Sequence, residues 1–139
     1  MKALTICQPY AHLIVTGEKR VENRTWPTRH RGPLAIHAGK SLAWMGSAER
    51  TPDMAFGAIV GVADLVDCIE LDTYLPMLNA NSRYQWLATH KHASGPFCFV
   101  LENVHRFDVP VDWKGAQGFW DIPDHALPIR KEERCHQSN

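Results

Sequence analysis

The stretch that decides the fold is Gly17 to Arg24, GEKRVENR. Upstream of it, Gln8-Pro9 opens a helix, proline suiting a first turn whose N–H has no partner in any case. Ala11, Leu13, Ile14 and Val15 supply its buried side, and Gly17 stands where a left-handed cap forms most easily. From Arg20 to Trp26 the period changes to two, with Val21, Asn23 and Thr25 on one face and Arg20, Glu22, Arg24 and Trp26 on the other. That second face is almost wholly charged. A helix that stops at Gly17 and a strand that starts at Arg20 leave Lys19 in the turn between them.

Working outward, Lys2 to Cys7 is a short β-leaning run, and Pro27 to Pro33 is a loop rich in breakers and bases. Leu34 to Ala38 reads as the next strand, expected to pair with the Glu22 strand, and Gly39-Lys40-Ser41 leads into a helix through Leu42, Trp44 and Met45. Gly57 to Leu71 is a long strand bent at its glycines. Asp72 to His92 lacks a clear period and suggests a short helix plus loop. Phe97 to Phe107 is a strong strand, and Gly118 to Ile122 a short last one. Five to six mostly antiparallel strands, two or three helices and no βαβ alternation predict an α+β fold, a small barrel flanked by helices. Residues 1–128 are expected to form a single domain and 129–139 a polar, frayed tail.

The composition narrows the function classes. A chain of 139 residues, 45% hydrophobic, suits one core. Fifteen Lys plus Arg balance fifteen Asp plus Glu, whereas proteins that hold long nucleic acid by counterion release carry a basic excess. Cys7, Cys68, Cys98 and Cys135 form no C-x-x-C pair, which argues for free thiols rather than a zinc knuckle or redox motif. His90-Lys91-His92 sets two imidazoles at i, i+2, with no Cys or Glu in ligand spacing, and reads as a solvated loop; no metal or cofactor is expected. The longest apolar stretch, Ala55 to Val66, is interrupted by Gly57, Gly61 and Asp64 and is shorter than the roughly 20 residues a membrane helix needs. The start MKALTICQPY lacks a signal-like apolar run, so a soluble, cytoplasmic protein without membrane contact is expected.

Five blocks stand in a telling order: Gln8-Pro9-Tyr10-Ala11; Gly17-x-Lys19-x-x-Glu22-x-Arg24; Arg31-Gly32-Pro33-Leu34-x-Ile36-His37-Ala38-x-Lys40-Ser41; Gly61-Val62-Ala63-Asp64-Leu65; and Gly115-x-x-Gly118-x-Trp120-x-Ile122-Pro123. Together, over about residues 2 to 123, they resemble the ASCH domain of the PUA-like superfamily. The resemblance implies a PUA-like β-barrel with helices over its openings and a cleft carrying the second block. It also implies an RNA-related role. Some bacterial members resemble small amidohydrolases that remove the acyl group from N(4)-acylcytidine, with a lysine, a Thr or Glu three positions later and a further carboxylate. Matched by motif, the lysine falls on Lys19 and the next position on Glu22, a carboxylate where the Thr-type enzymes have a hydroxyl.

What the resemblance implies is therefore a metal-independent amidohydrolase acting on the linear amide of an N(4)-acylated cytosine nucleoside, with Lys19 and Glu22 catalytic. Amide hydrolysis needs a group to activate water or a nucleophile, one to protonate the leaving nitrogen and a donor for the oxyanion. A regular strand would send Lys19 and Glu22 to opposite faces, so both reach one pocket only if Lys19 precedes the pleat. Glu22 and Arg24 also suit a same-face ion pair that braces the barrel. Arg24, His37, Lys40 and Ser41 are expected to line the rim, Ser41 being equally suited to cap the next helix. Gln8, Tyr10, Trp26 and Trp120 are the candidates for stacking and edge hydrogen bonds to a base. The alternative is a non-catalytic RNA-binding module that takes an unpaired base, with Arg20, Arg24, Arg29, His30 and Arg31 on phosphates. A ribonuclease ranks below both. Zinc deamination is a separate chemistry, since H-x-E and P-C-x-x-C do not occur.

Overall fold

A computed structural model describes residues 1–46 and 50–128. Six strands, β1 (Lys2–Ile6), β2 (Val21–Arg24), β3 (Gly32–Ala38), β4 (Ala58–Glu70), β5 (Phe97–Asp112) and β6 (Phe119–Asp121), form one sheet in the order β2-β5-β4-β3-β1-β6. Only β1 and β3 run parallel; every other neighbouring pair is antiparallel. Two helices, α1 (Tyr10–Thr16) and α2 (Leu71–Tyr74), and three single 3-10 turns complete the described elements. The edge strands β2 and β6 curl toward each other. Trp26, just past β2, packs edge-on against Phe119 of β6 and Phe99 of β5, with ring centroids 5.2 and 5.3 Å apart. The sheet is thus a half-open barrel flanked by helices, the α+β architecture the sequence predicts.

Alternation explains the core. Leu4, Ile6, Leu34, Ile36, Leu65 and Phe99 point inward with Ile14 of α1, while Ala3, Ala35, Ile59 and Val62 point outward beneath Ile122 and Leu127. Because β3 is covered on both faces, Leu34 to Ala38 reads as a nearly continuous apolar run. A third cluster, built on Val21, Leu71, Tyr84, Leu87 and Val100, fixes the segment between β4 and β5. Gly61 lets α1 approach β4, for a Cβ there would lie 2.5 Å from the His105 carbonyl oxygen and 2.9 Å from Val15.

The local reading of residues 8–24 holds in outline, with Pro9 as the N-cap of α1 and β2 confined to Val21–Arg24 rather than Arg20 to Trp26. α1 ends at Gly17, φ 93°, whose N–H reaches the Ile14 carbonyl at 3.1 Å. Other expectations need correction. β2 does not pair with β3; it pairs with β5, Glu22 opposite Phe99, and β3 lies between β1 and β4. Leu42 to Met45 is a single turn rather than a helix, because Leu42 and Trp44 are both exposed and no apolar face is buried to stabilise further turns. β5 runs on to Asp112, with Pro110 tolerated where the pairing with β4 breaks between Ile59 and Gly61. Among the described residues no helix is long and apolar enough to cross a membrane. The expected tail 129–139, with Cys135, lies outside the described residues.

Candidate functional site

The turn after Gly17 places Lys19 ahead of β2, and its backbone N–H is held by the Leu13 carbonyl at 3.0 Å. The side chain then folds over the strand start. Lys19 Nζ donates to the Val21 carbonyl at 2.6 Å and to Glu22 Oε1 at 2.8 Å. The other carboxylate oxygen, Oε2, accepts from Arg24 Nε at 3.1 Å and Nη2 at 2.8 Å, and Nη2 also donates to the Thr5 carbonyl at 2.8 Å. Both arrangements open to Glu22 are realised at once. Its carboxylate bridges two cations, and the chain of contacts runs from α1 through β2 to β1. Lys19 and Glu22 are both buried, 3% and 7% exposed, at the floor of a cleft of about 590 Å³. A buried pair of this kind holds together because each charge has its hydrogen-bond partners; removing one leaves the other stranded.

Aromatic rings and a loop wall the cleft. Tyr10 lies on one side, its ring centroid 5.6 Å from Lys19 Nζ, with Trp44 beyond it, and Trp26 lies on another. The wall from His92 to Gly95 is fixed by Asn23, on the uncharged face of β2. Asn23 Nδ2 donates to the His92 carbonyl at 2.8 Å, and its Oδ1 accepts from the N–H groups of Ser94 and Gly95 at 3.0 and 2.9 Å. Burial lowers the pKa of His92 below its usual value, and the ammonium groups of Lys19 and Lys91 push it the same way against Glu18. The imidazole at the cleft is therefore neutral at pH 7. His90 is lowered too, by burial first and then by His92, Arg20 and Lys19, and its Nε2 accepts from the Arg20 N–H at 3.1 Å.

Of the ten side chains singled out in the sequence, Lys19, Glu22, Arg24, Tyr10 and Trp26 meet in this cleft. The remaining five lie elsewhere. His37 and Lys40 line a second cavity of about 960 Å³ on the far side of β1. There His37 Nε2 donates to the Trp113 carbonyl at 2.7 Å, which leaves Nδ1 to accept from the Thr5 hydroxyl at 3.1 Å. Burial lowers its pKa, the Trp113 hydrogen bond opposing, so this imidazole is neutral and ties β3 to the segment after β5. Trp120 completes that chain by donating Nε1–H to Thr5 Oγ1 at 3.2 Å, edge-on to His37. Gln8 is fully buried and spends its amide on the Ala55 carbonyl and the His12 N–H. Ser41 Oγ accepts from the Ala43 N–H at 3.2 Å in the exposed turn. His37, Lys40 and Ser41 fail to join the rim of the first cleft because β3 is not the neighbour of β2.

The sequence reading missed Thr5, Asn23, Trp44, His92 and Ser94, all of which border or fix the first cleft. Asn23 carried a signal, a carboxamide on an otherwise uncharged strand face, and so did His92, whose pairing with His90 read as a solvated loop rather than a cleft wall. Among the described residues no group of three or more His, Cys, Asp or Glu is placed to hold a metal ion. Chemically, the cleft floor presents a cationic donor beside an anionic acceptor. Lys19 has three N–H groups and uses two of them, and Glu22 Oε1 keeps a free lone pair.

With this geometry in hand, comparison with known proteins is informative. The sequence pattern of the ASCH domain matches residues 4–110. Activating signal cointegrator 1 of Homo sapiens is 30% identical over 134 residues, a match covering 86% of this chain and 22% of that protein, and its Mus musculus counterpart gives the same figures. The chain thus spans about a fifth of the length of these curated relatives. Among solved structures, an ASCH protein from Zymomonas mobilis superposes with TM-score 0.53 at 15% identity, covering 90% of this chain and 89% of that one. A point variant of it gives 0.54 at 14% identity, covering 90% and 91%. At those identities the likeness is one of fold.

Proposed function

Because this chain belongs to the ASCH domain family, we propose that its first cleft receives a nucleobase from an unpaired stretch of RNA. The observation that carries the reading is the 2.8 Å contact between Lys19 Nζ and Glu22 Oε1 on the floor of an aromatic-walled cleft. The Watson–Crick edge of every base offers an acceptor beside a donor, which a donor and acceptor held side by side can read. Tyr10, Trp26 and Trp44 offer ring faces, and stacking on such faces tolerates any base. Arg24, held by Glu22 and the Thr5 carbonyl, keeps the array rigid before ligand arrives. A cleft of about 590 Å³ lies within the range of small-ligand sites. The neutral net charge fits selection of an exposed base better than tight, sequence-independent binding of long nucleic acid.

One observation favours a second reading, hydrolysis of the acyl group of N(4)-acylcytidine. Lys19 lies in contact with a carboxylate in a partly dry cleft that also borders the hydroxyls of Thr25 and Ser94. In that case water adds to the acyl carbon and gives its proton to the Lys19–Glu22 pair, which returns it to N4 as the C–N bond breaks to release cytidine and the carboxylic acid, while Arg24 holds the base. It ranks second because, among the described residues, Glu22 is the only carboxylate lining the cleft and both of its oxygens already hold cations. Fluorescence anisotropy with one RNA sequence, single-stranded and as a duplex, tests the first reading. Preference for the single strand, weakened at least tenfold by Lys19→Ala, supports it; equal binding of both forms sinks it. Cytidine release from N(4)-acetylcytidine, lost in Lys19→Ala and Glu22→Ala, would promote the second reading.

A further inference from the structure

The second cavity shares a wall with the first. Thr5 stands between them, its carbonyl taken by Arg24 on one side and its hydroxyl facing His37 on the other. Two lysines line this second space. Lys40 lays its stem across Gly57, where φ is 66° and a Cβ would lie 2.7 Å from Lys40 Cε, so the glycine leaves the room in which that stem rests. Lys114 follows β5 on the opposite side. Among the described residues neither ammonium has a carboxylate within 4.0 Å, and Asp112 is the one acidic residue of the lining. Phe56 and the partly exposed Trp113 add aromatic surface. His37 adds no charge, being neutral and bonded at both nitrogens.

We propose that this second cavity is a nucleotide subsite, where Lys40 and Lys114 hold the phosphate of the residue that follows the bound base and Trp113 meets its base or sugar. The inference rests on the base-binding reading of the first cleft. It makes the ligand a strand rather than a free nucleoside, and it gives the unpaired lysines a common partner in an anion shared between them. Paired phosphate and aromatic contacts are how single strands are tracked along a protein surface. Asp112, on the same lining, opposes the anion.

The test compares the parent, a Lys40→Ala/Lys114→Ala double variant and Lys19→Ala against three probes: cytidine, cytidine 5′-monophosphate and a single-stranded RNA pentamer. The double variant is expected to bind the pentamer at least tenfold more weakly and cytidine as the parent does. Its slope of log affinity against log salt should flatten by about 0.7, one phosphate contact's worth on a single strand. Asp112→Asn should tighten pentamer binding severalfold. Unchanged pentamer affinity and slope in the double variant would overturn the proposal, as would an equal loss for cytidine. Dependence on the two lysines already complete with cytidine monophosphate would overturn the assignment to the following nucleotide. If the double variant weakens the pentamer while Lys19→Ala does not, the subsite stands and the base cleft is what fails.

Discussion

The two cavities that share Thr5 are assembled in opposite ways. In the first, Lys19, Glu22 and Arg24 come from one turn and one strand, and the contacts that matter span two or three residues. In the second, His37 meets a threonine 32 positions before it and a carbonyl 76 positions after it. A short segment carries the first site's chemistry wherever the chain places it, while the second exists only once β1, β3 and the segment after β5 have come together. The first should therefore answer mutation through charge and the second through packing.

The largest effect is expected at the charge network. Glu22→Ala leaves the buried Lys19 ammonium without its carboxylate and should destabilise the fold by about 3–5 kcal/mol in chemical denaturation. Lys19→Ala should cost less, since Glu22 retains Arg24. A loss below about 1 kcal/mol for Glu22→Ala would mean the pair is not dry, as for ordinary surface pairs. Next comes the packing of the second cavity. A Cβ on Gly115 would lie 2.5 Å from Thr5 Oγ1 and 2.6 Å from His37 Cε1, both pinned by hydrogen bonds, so Gly115→Ala should cost about 1–3 kcal/mol. It should leave cytidine binding at the first cleft intact. Asn23→Ala should cost about 1–3 kcal/mol, and amide exchange at Ser94 and Gly95 should speed up as their acceptor is lost.

The smallest effect is a pH dependence that both cavities share. His37 and His92 have pKa values lowered by burial from the usual 6.5, and so does His90. The unfolded chain then takes up protons first, so their stability is fully present above pH 6.5 and is lost as pH falls below it. The melting temperature should fall between pH 7 and 5.5, and less steeply in a His37→Asn variant. A flat profile would show that these imidazoles are hydrated.

What the sequence made legible follows the same division. The helix stop at Gly17, the turn position of Lys19 and the charged face of β2 are consequences of local spacing, and they could be derived from eight residues. The pairing of β2 with β5 was not legible, because Val21 and Asn23 fit any neighbour with an apolar face and the partner lies far along the chain. Placing β3 beside β2 carried His37, Lys40 and Ser41 into the wrong cavity. Gln8 was misread for a related reason: a carboxamide near a helix start suits a ligand and a buried carbonyl equally well, and only the fold brings Ala55 beside it. The helix expected at Leu42 to Met45 failed because propensity without a buried face does not sustain one.

The most direct measurement is an amide and indole chemical-shift map of the isotope-labelled protein titrated with cytidine. The account predicts saturable shifts at Lys19, Glu22, Arg24 and the Trp44 indole, with Trp113 to Gln117 unmoved. Shifts confined to Trp113 to Gln117, or none at any cytidine concentration reached, would contradict it.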